Sequence, residues 1–330
     1  GSFTGSKKKQ DILCANGTNI QLLRQDPESG SLSTVCQQDL WAEVAQMKPL
    51  RLPGSQVDVV VVTSDSGKFV VLKFDVESSI FYPIIQEPYA KTGFRRISPG
   101  THLAVDPMGR AAMLSAIERN KICYPFALTE PLAVSLPLET INEGFLTISL
   151  AALETGYDNP LFIAIEIDSS SYKGSKIFDE AKSPMLLNFY EFDQALNHVV
   201  KRKQLEHLVP ASAFSIIPLP DGDFLVCCDG FLIYEYKIED DVAYTKNIVT
   251  IPHIQDENSV HSSNRPICFA VYKMKKNSFF VLLQTGAGHL FKVTIAKEDG
   301  LKKARVTYFD TIQHCQLINV LRSGYLYANT

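Results

Sequence analysis

The chain has 330 residues, 45% hydrophobic and 21% charged, with seven cysteines and a formal net charge of −4. These values describe a globular protein with a sizeable core and exclude a disordered or fibrous chain, and the mild acidity gives no global pull towards nucleic acid. Cys14, Cys36, Cys123, Cys227, Cys228, Cys268 and Cys315 are odd in number and hold no C-x-x-C, which excludes a disulfide framework or a zinc site and points to a reducing compartment.

In chain order, short runs of β-branched and aromatic residues meet a small turn and are followed by a second run. The first hairpin is Asp11–Cys14, Asn16-Gly17, Ile20–Leu23. Its Asn-Gly pair is better explained as a turn than as a glycosylation acceptor. The second is Val57–Thr63, Asp65-Ser66-Gly67, Phe69–Phe74, and the third Ala111–Ile117, Arg119-Asn120, Ile122–Phe126. The fourth pairs Leu161–Ile167 with Met185–Phe192 across a polar loop. The fifth is Phe224–Cys228, Asp229-Gly230, Phe231–Tyr236, and the sixth Ser278–Gln284, Gly286-Ala287-Gly288, His289–Ile295. Third strands follow at Ile80–Ile85, Val199–Lys201 and Arg305–Phe309, and Leu40–Met47 is the best candidate for a helix.

The turns fall near positions 17, 67, 120, 175, 229 and 287, a step of about 54 residues, close to the period of four-stranded propeller blades. The expected fold is therefore all-β, a seven-bladed β-propeller formed by residues 1–330 as a single domain. Six hairpins imply a seventh blade, and the last strand-like segment, Leu326–Thr330, leads us to expect an excised piece with the closing blade incomplete.

Catalytic chemistry is thin. Ser64-Asp65-Ser66-Gly67-Lys68 has the tail of a phosphate loop but joins strand to strand and lacks the upstream glycine. The seven histidines form no H-x-x-x-H or H-E-x-x-H, and no G-x-S-x-G occurs. No catalytic, metal-binding or cofactor-binding residue is predicted, and no cofactor. The basic runs at Lys7–Lys9, Lys201–Lys203 and around Lys273–Lys276 read as solvated loops. No apolar run approaches 18 residues, so a membrane partner is not expected.

Candidate partner contacts lie on turns. Asp106-Pro107-Met108-Gly109 is a turn flanked by Arg95, Arg96 and Arg110. These arginines serve either as struts to carboxylates and carbonyls between blades or as a contact patch. Tyr157-Asp158-Asn159-Pro160 is a turn entering the fourth hairpin and offers an aromatic anchor; Asn197 and His198 join it as candidate contacts.

Several stretches resemble one family. They are Arg95-Arg96-Ile97-Ser98-Pro99-Gly100 continuing through Leu103–Glu118, then Gly156-Tyr157-Asp158-Asn159-Pro160-Leu161-Phe162. Phe189-Tyr190-Glu191-Phe192-Asp193, Leu196-Asn197-His198-Val199-Val200, Ser278–Phe280 with Phe291–Ile295, and Tyr308-Phe309-Asp310-Thr311 follow in order. Together with the opening Gly1–Gly5 they are similar to the first propeller of the large, three-propeller subunit of splicing factor 3b. The large subunit of the cleavage and polyadenylation specificity factor and the large damaged-DNA-binding protein share the architecture, and their first propellers match these blocks less well. The 169–183 loop and the segment Ile251–Pro266 look poorer in charge than the family's pattern.

The resemblance implies a non-catalytic, protein-binding scaffold in pre-mRNA splicing, located in the nucleus. Its expected partners are the helical-repeat subunit and the small helical subunit of splicing factor 3b, with RNA contact indirect or minor and no small-molecule substrate. Three other classes remain open at this point. One is the same fold serving 3′-end processing or a ubiquitin ligase. Another is an enzyme or sugar binder with acidic or metal-binding residues converging on the channel. The third is a direct RNA binder with strongly salt-dependent affinity.

Overall fold

The structure, a computed structural model, describes residues 1–5, 10–26, 28–89, 102–117, 120–127, 132–141, 145–168, 185–237, 244–254, 263–274, 278–298 and 300–330. The lysine run 7–9, Arg95, Arg96, the loop 169–183 and residues 255–262 of the segment 251–266 lie outside them. Among the described residues every regular element is a strand apart from one 3₁₀ turn, Pro220–Gly222.

Among the described residues seven sheets follow one another in chain order. The first holds β1 (Asp11–Asn16), β2 (Asn19–Gln25) and β3 (Leu32–Asp39). The second holds β4 (Val44–Arg51), β5 (Asp58–Ser64), β6 (Lys68–Asp75) and β7 (Ile80–Pro88). The third holds β8 (His102–Val105), β9 (Ala111–Ile117) and β10 (Asn120–Ala127), with the short β11 (Ala133–Val134) and β12 (Leu138–Ile141) both on β10. The fourth holds β13 (Phe145–Leu153), β14 (Leu161–Asp168) and β15 (Met185–Asp193), with β16 (His198–Lys201) and β17 (His207–Val209) both on β15. The fifth is β18 (Ser215–Pro218), β19 (Phe224–Cys228), β20 (Phe231–Lys237) and β21 (Tyr244–Thr250). The sixth is β22 (Pro266–Lys273), β23 (Phe279–Thr285), β24 (His289–Glu298) and β25 (Leu301–Thr311). The last is the hairpin β26 (Leu317–Val320) and β27 (Leu326–Asn329).

All six expected hairpins are present, as β1–β2, β5–β6, β9–β10, β14–β15, β19–β20 and β23–β24, each antiparallel. Ser64–Lys68 is the tight turn between β5 and β6, with the Gly67 amide donating to the Ser64 carbonyl at 3.2 Å. The helix expected at Leu40–Met47 is absent. Leu40 and Ala42 are buried, and Leu40 packs in the same cluster as Val60 and Val62. From Val44 onwards the segment pairs with β5 through Pro49↔Val60. Packing overrode the local helix preference, and Pro49 is tolerated because β4 is the edge of its sheet.

The apolar clusters lie between sheets, and the alternation of each strand explains why. In β5, Val59 and Val61 face a cluster shared with the third sheet, while Val60 and Val62 face one shared with the first. In β14, Leu161, Ile163 and Ile165 face the fifth sheet and Phe162 and Ala164 face the third. In β19, Phe224 and Val226 face the fourth sheet and Leu225 and Cys227 the sixth. A strand buried on both faces reads as an unbroken apolar run, and a sheet built from such strands needs a neighbour on each side. Radial succession supplies both.

The seam between the last sheet and the first is of another kind. The Tyr327 hydroxyl lies 3.0 Å from the Cys14 sulfur, the Arg322 amide donates to Gln10 Oε1 at 2.8 Å, and the Ser323 hydroxyl donates to Gln25 Oε1 at 2.5 Å. Cys14 is also the one cysteine that is not buried. We expect a thiol reagent such as Ellman's to label one thiol quickly in the native protein and the rest only on unfolding. Two or more fast thiols would contradict the burial of the other six, since thiols in apolar surroundings react slowly.

Candidate partner-contact cleft

Tyr157, Asp158 and Asn159 stand on the loop before β14 and line a cleft of about 460 Å³. Its other walls are Glu191 on β15, Arg202, Gln204 and Leu205 between β16 and β17, and Lys237 at the end of β20. The cleft therefore opens between the fourth and fifth sheets.

The loop is held from behind. Arg110 donates from Nε and Nη2 to the two carboxylate oxygens of Asp106, both at 2.8 Å, and from Nη1 to the carbonyls of Tyr157 and Asp158, both at 2.6 Å. Its side chain is only 10% exposed, so Arg110 acts as a strut between the third and fourth sheets. Arg110 follows the turn ending at Gly109, where the amide donates to the Asp106 carbonyl at 2.9 Å. Bidentate guanidinium pairing fixes geometry as well as adding energy.

Asn159 ties the loop to its neighbour. Its Nδ2 donates to Glu191 Oε1 at 2.8 Å, and its Oδ1 accepts from the Gln194 amide at 3.2 Å. Gln194 opens the turn that carries Asn197 and His198. Asn197 has φ +48°, a left-handed conformation that asparagine tolerates better than most residues, and His198 is the exposed first residue of β16. The structure thus brings Tyr157, Asp158 and Asn159 together on the cleft and sets Asn197 and His198 on the adjoining turn. Arg110 lies behind them.

Lys237, Glu191 and Arg202 complete the cleft and were not singled out from the sequence. The Lys237 ammonium donates to the Tyr157 hydroxyl at 3.1 Å and lies 5.3 Å and 5.4 Å from the ring centres of Tyr157 and Tyr244. Burial foremost, with help from nearby Tyr157, Asp223 and Glu235, pushes the Tyr244 phenol well above its usual range, so the ring beside Lys237 stays neutral. Arg202 pairs with Glu191. Tyr157 is 47% exposed, a large aromatic side chain on a braced loop. A rigid base carrying an exposed aromatic and mixed charges is suited to recognition. Among the described residues no three His, Cys, Asp or Glu side chains gather as metal ligands would.

The sequence matches the family described as the RSE1/DDB1/CPSF1 first beta-propeller over residues 1–330. Similar proteins include the pre-mRNA-splicing factor RSE1 of Debaryomyces hansenii, 41% identical over 100% of this chain and 26% of its own length. Spliceosome-associated protein 130 A of Arabidopsis thaliana is 36% identical over 99% of this chain and 27% of its own length. Splicing factor 3B subunit 3 of Drosophila melanogaster is 33% identical over 99% and 27%. The chain spans about a quarter of the length of these relatives. The resemblance read from the residue blocks and the all-β propeller expected from the hairpin period therefore meet in one conclusion: the chain belongs to the first β-propeller family of RSE1, DDB1 and CPSF1.

Proposed function

We propose that residues 1–330 form a single propeller, the first of several in a longer nuclear protein, and that it serves pre-mRNA splicing as a non-catalytic wall for protein partners. The observation that carries this reading is likeness along the whole chain to proteins named as splicing factors, at 31–41% identity. The partners are the helical-repeat and small helical subunits of splicing factor 3b. RNA is held by those partners, in keeping with the net charge of −4. The matched family also takes in DDB1 and CPSF1, but the relatives named above carry splicing names, which favours splicing over a ubiquitin ligase or 3′-end processing. Depleting the full-length protein from nuclear extract should stop assembly of branch-site complexes on a labelled pre-mRNA, and adding it back should restore them. Assembly that proceeds at an unchanged rate after depletion overturns the proposal.

A further inference from the structure

The cleft between the fourth and fifth sheets carries two charges that form no ion pair among the described residues. Among the described residues Lys237 makes no ion pair, although Lys246 on the neighbouring strand pairs with Glu235. Its ammonium is occupied instead by the Tyr157 hydroxyl and two tyrosine faces. A half-buried lysine held by tyrosine rings, with no carboxylate paired to it among the described residues, gains from an incoming anion. Asp158 is the counterpart. Arg110 holds its carbonyl, while its exposed carboxylate makes no hydrogen bond or ion pair among the described residues. Leu161 and Leu205 give the cleft an apolar floor. The remaining charges, Arg202 and Glu191, cancel by pairing with each other.

This distribution favours one kind of occupant. A continuous phosphate backbone would meet Asp158 and Glu191 along with the cations, and like charges brought together cost affinity. A peptide can place opposite charges separately. We propose that the cleft docks a segment of a protein partner in which an apolar residue lies between an acidic and a basic one. The acidic side chain meets Lys237, the basic one meets Asp158, and the apolar residue rests on Leu161 and Leu205. The proposal rests on the reading of this chain as a protein-binding wall and names the chemistry of one of its contacts. The loop is braced before binding by Arg110 and Asn159, so little ordering cost falls on complex formation.

The test uses the full-length protein and two fluorescein-labelled ten-residue peptides, one centred on Glu-Leu-Arg and one on Gln-Leu-Gln. Fluorescence anisotropy should show the charged peptide binding about fivefold to tenfold tighter, a preference worth one or two surface ion pairs. Lys237→Met keeps the aliphatic stem against the tyrosines and should erase most of that preference. The double reversal Asp158→Lys with Lys237→Glu should recover it, because the peptide can lie in the opposite sense. Thermal melts of each variant confirm that it folds. Equal binding of the two peptides, no saturable binding of either, or a preference untouched by Lys237→Met would overturn the proposal. So would a ten-nucleotide uridine RNA that binds tighter than the charged peptide and loses affinity in Lys237→Met. Restoration of depleted extract by the wild-type protein is read separately, so failure at the cleft is not confused with failure of the splicing role.

Discussion

Replacing Glu166 by alanine should destabilise the protein by about 3–5 kcal/mol, the cost of leaving a buried cation without its partner. Glu166 is on β14 and is fully buried, and it pairs with Lys121 of β10, itself 2% exposed. The carboxylate also accepts from the Tyr190 hydroxyl at 2.7 Å, from Asn188 Nδ2 at 2.5 Å and from the Thr147 hydroxyl at 3.2 Å. Three residues from two strands of its own sheet, together with a lysine from the preceding sheet, thus converge on two oxygens. Burial opposes the charge, but Lys121 and these hydrogen bonds outweigh it and hold the Glu166 carboxyl below the usual range. A carboxylate with a depressed folded value stabilises the protein above its unfolded value of about pH 4.3, and that contribution disappears as the pH falls further. Glu166→Gln should therefore melt lower than wild type at neutral pH, with the gap narrowing below about pH 4. The double variant Lys121→Met with Glu166→Leu separates charge from packing. It should recover most of the loss, since well-packed apolar replacements of buried pairs are often neutral or better. A single variant with an unchanged melting curve would refute the assignment.

A valine at Gly109 should cost about 3 kcal/mol or more. Gly109 has φ +75°, and a side chain there would bring its first carbon to 2.7 Å from the backbone carbonyl of Arg51 on β4. Left-handed geometry alone costs roughly 1–2 kcal/mol for an ordinary residue, and more for a β-branched one. The rest of the expected loss comes from pushing the second and third sheets apart, because Arg51 is backbone and cannot swing away. Gly230, at φ +78° with open space around it, provides the comparison. Gly230→Ala should cost about 1 kcal/mol, the conformational part alone, and Gly109→Ala distinctly more. Denaturant melts of the pair measure the difference, and equal losses would mean that the close approach to Arg51 carries no energy.

These sites show how far the sequence could be read. Hairpins were legible because turn chemistry and β-branched runs are local. Val57–Thr63 and Phe69–Phe74 became β5 and β6 within a residue or two, since a strand apolar on both faces fits one place only, between two other sheets. Leu40–Met47 was misread for the opposite reason. Its pattern is compatible with a short helix, and pairing to β5 decides the matter from outside the segment. The Tyr157 loop could be found from its turn residues, but its surroundings could not. Lys237 lies 80 positions away and reaches Tyr157 only because consecutive sheets stand side by side. Arg110 could be read as strut or contact from sequence, and its four hydrogen bonds come from the third sheet's own turn and the loop of the next. The Lys121–Glu166 pair left no signal, because a lysine and a glutamate 45 residues apart look like any other charges.

The reading of the chain as a splicing scaffold is tested most directly by affinity purification of the full-length protein from nuclear extract, followed by mass spectrometry. Near-stoichiometric recovery of the helical-repeat and small helical subunits of splicing factor 3b is the predicted result. Recovery of polyadenylation factors or ubiquitin-ligase subunits in their place would keep the propeller and contradict its function.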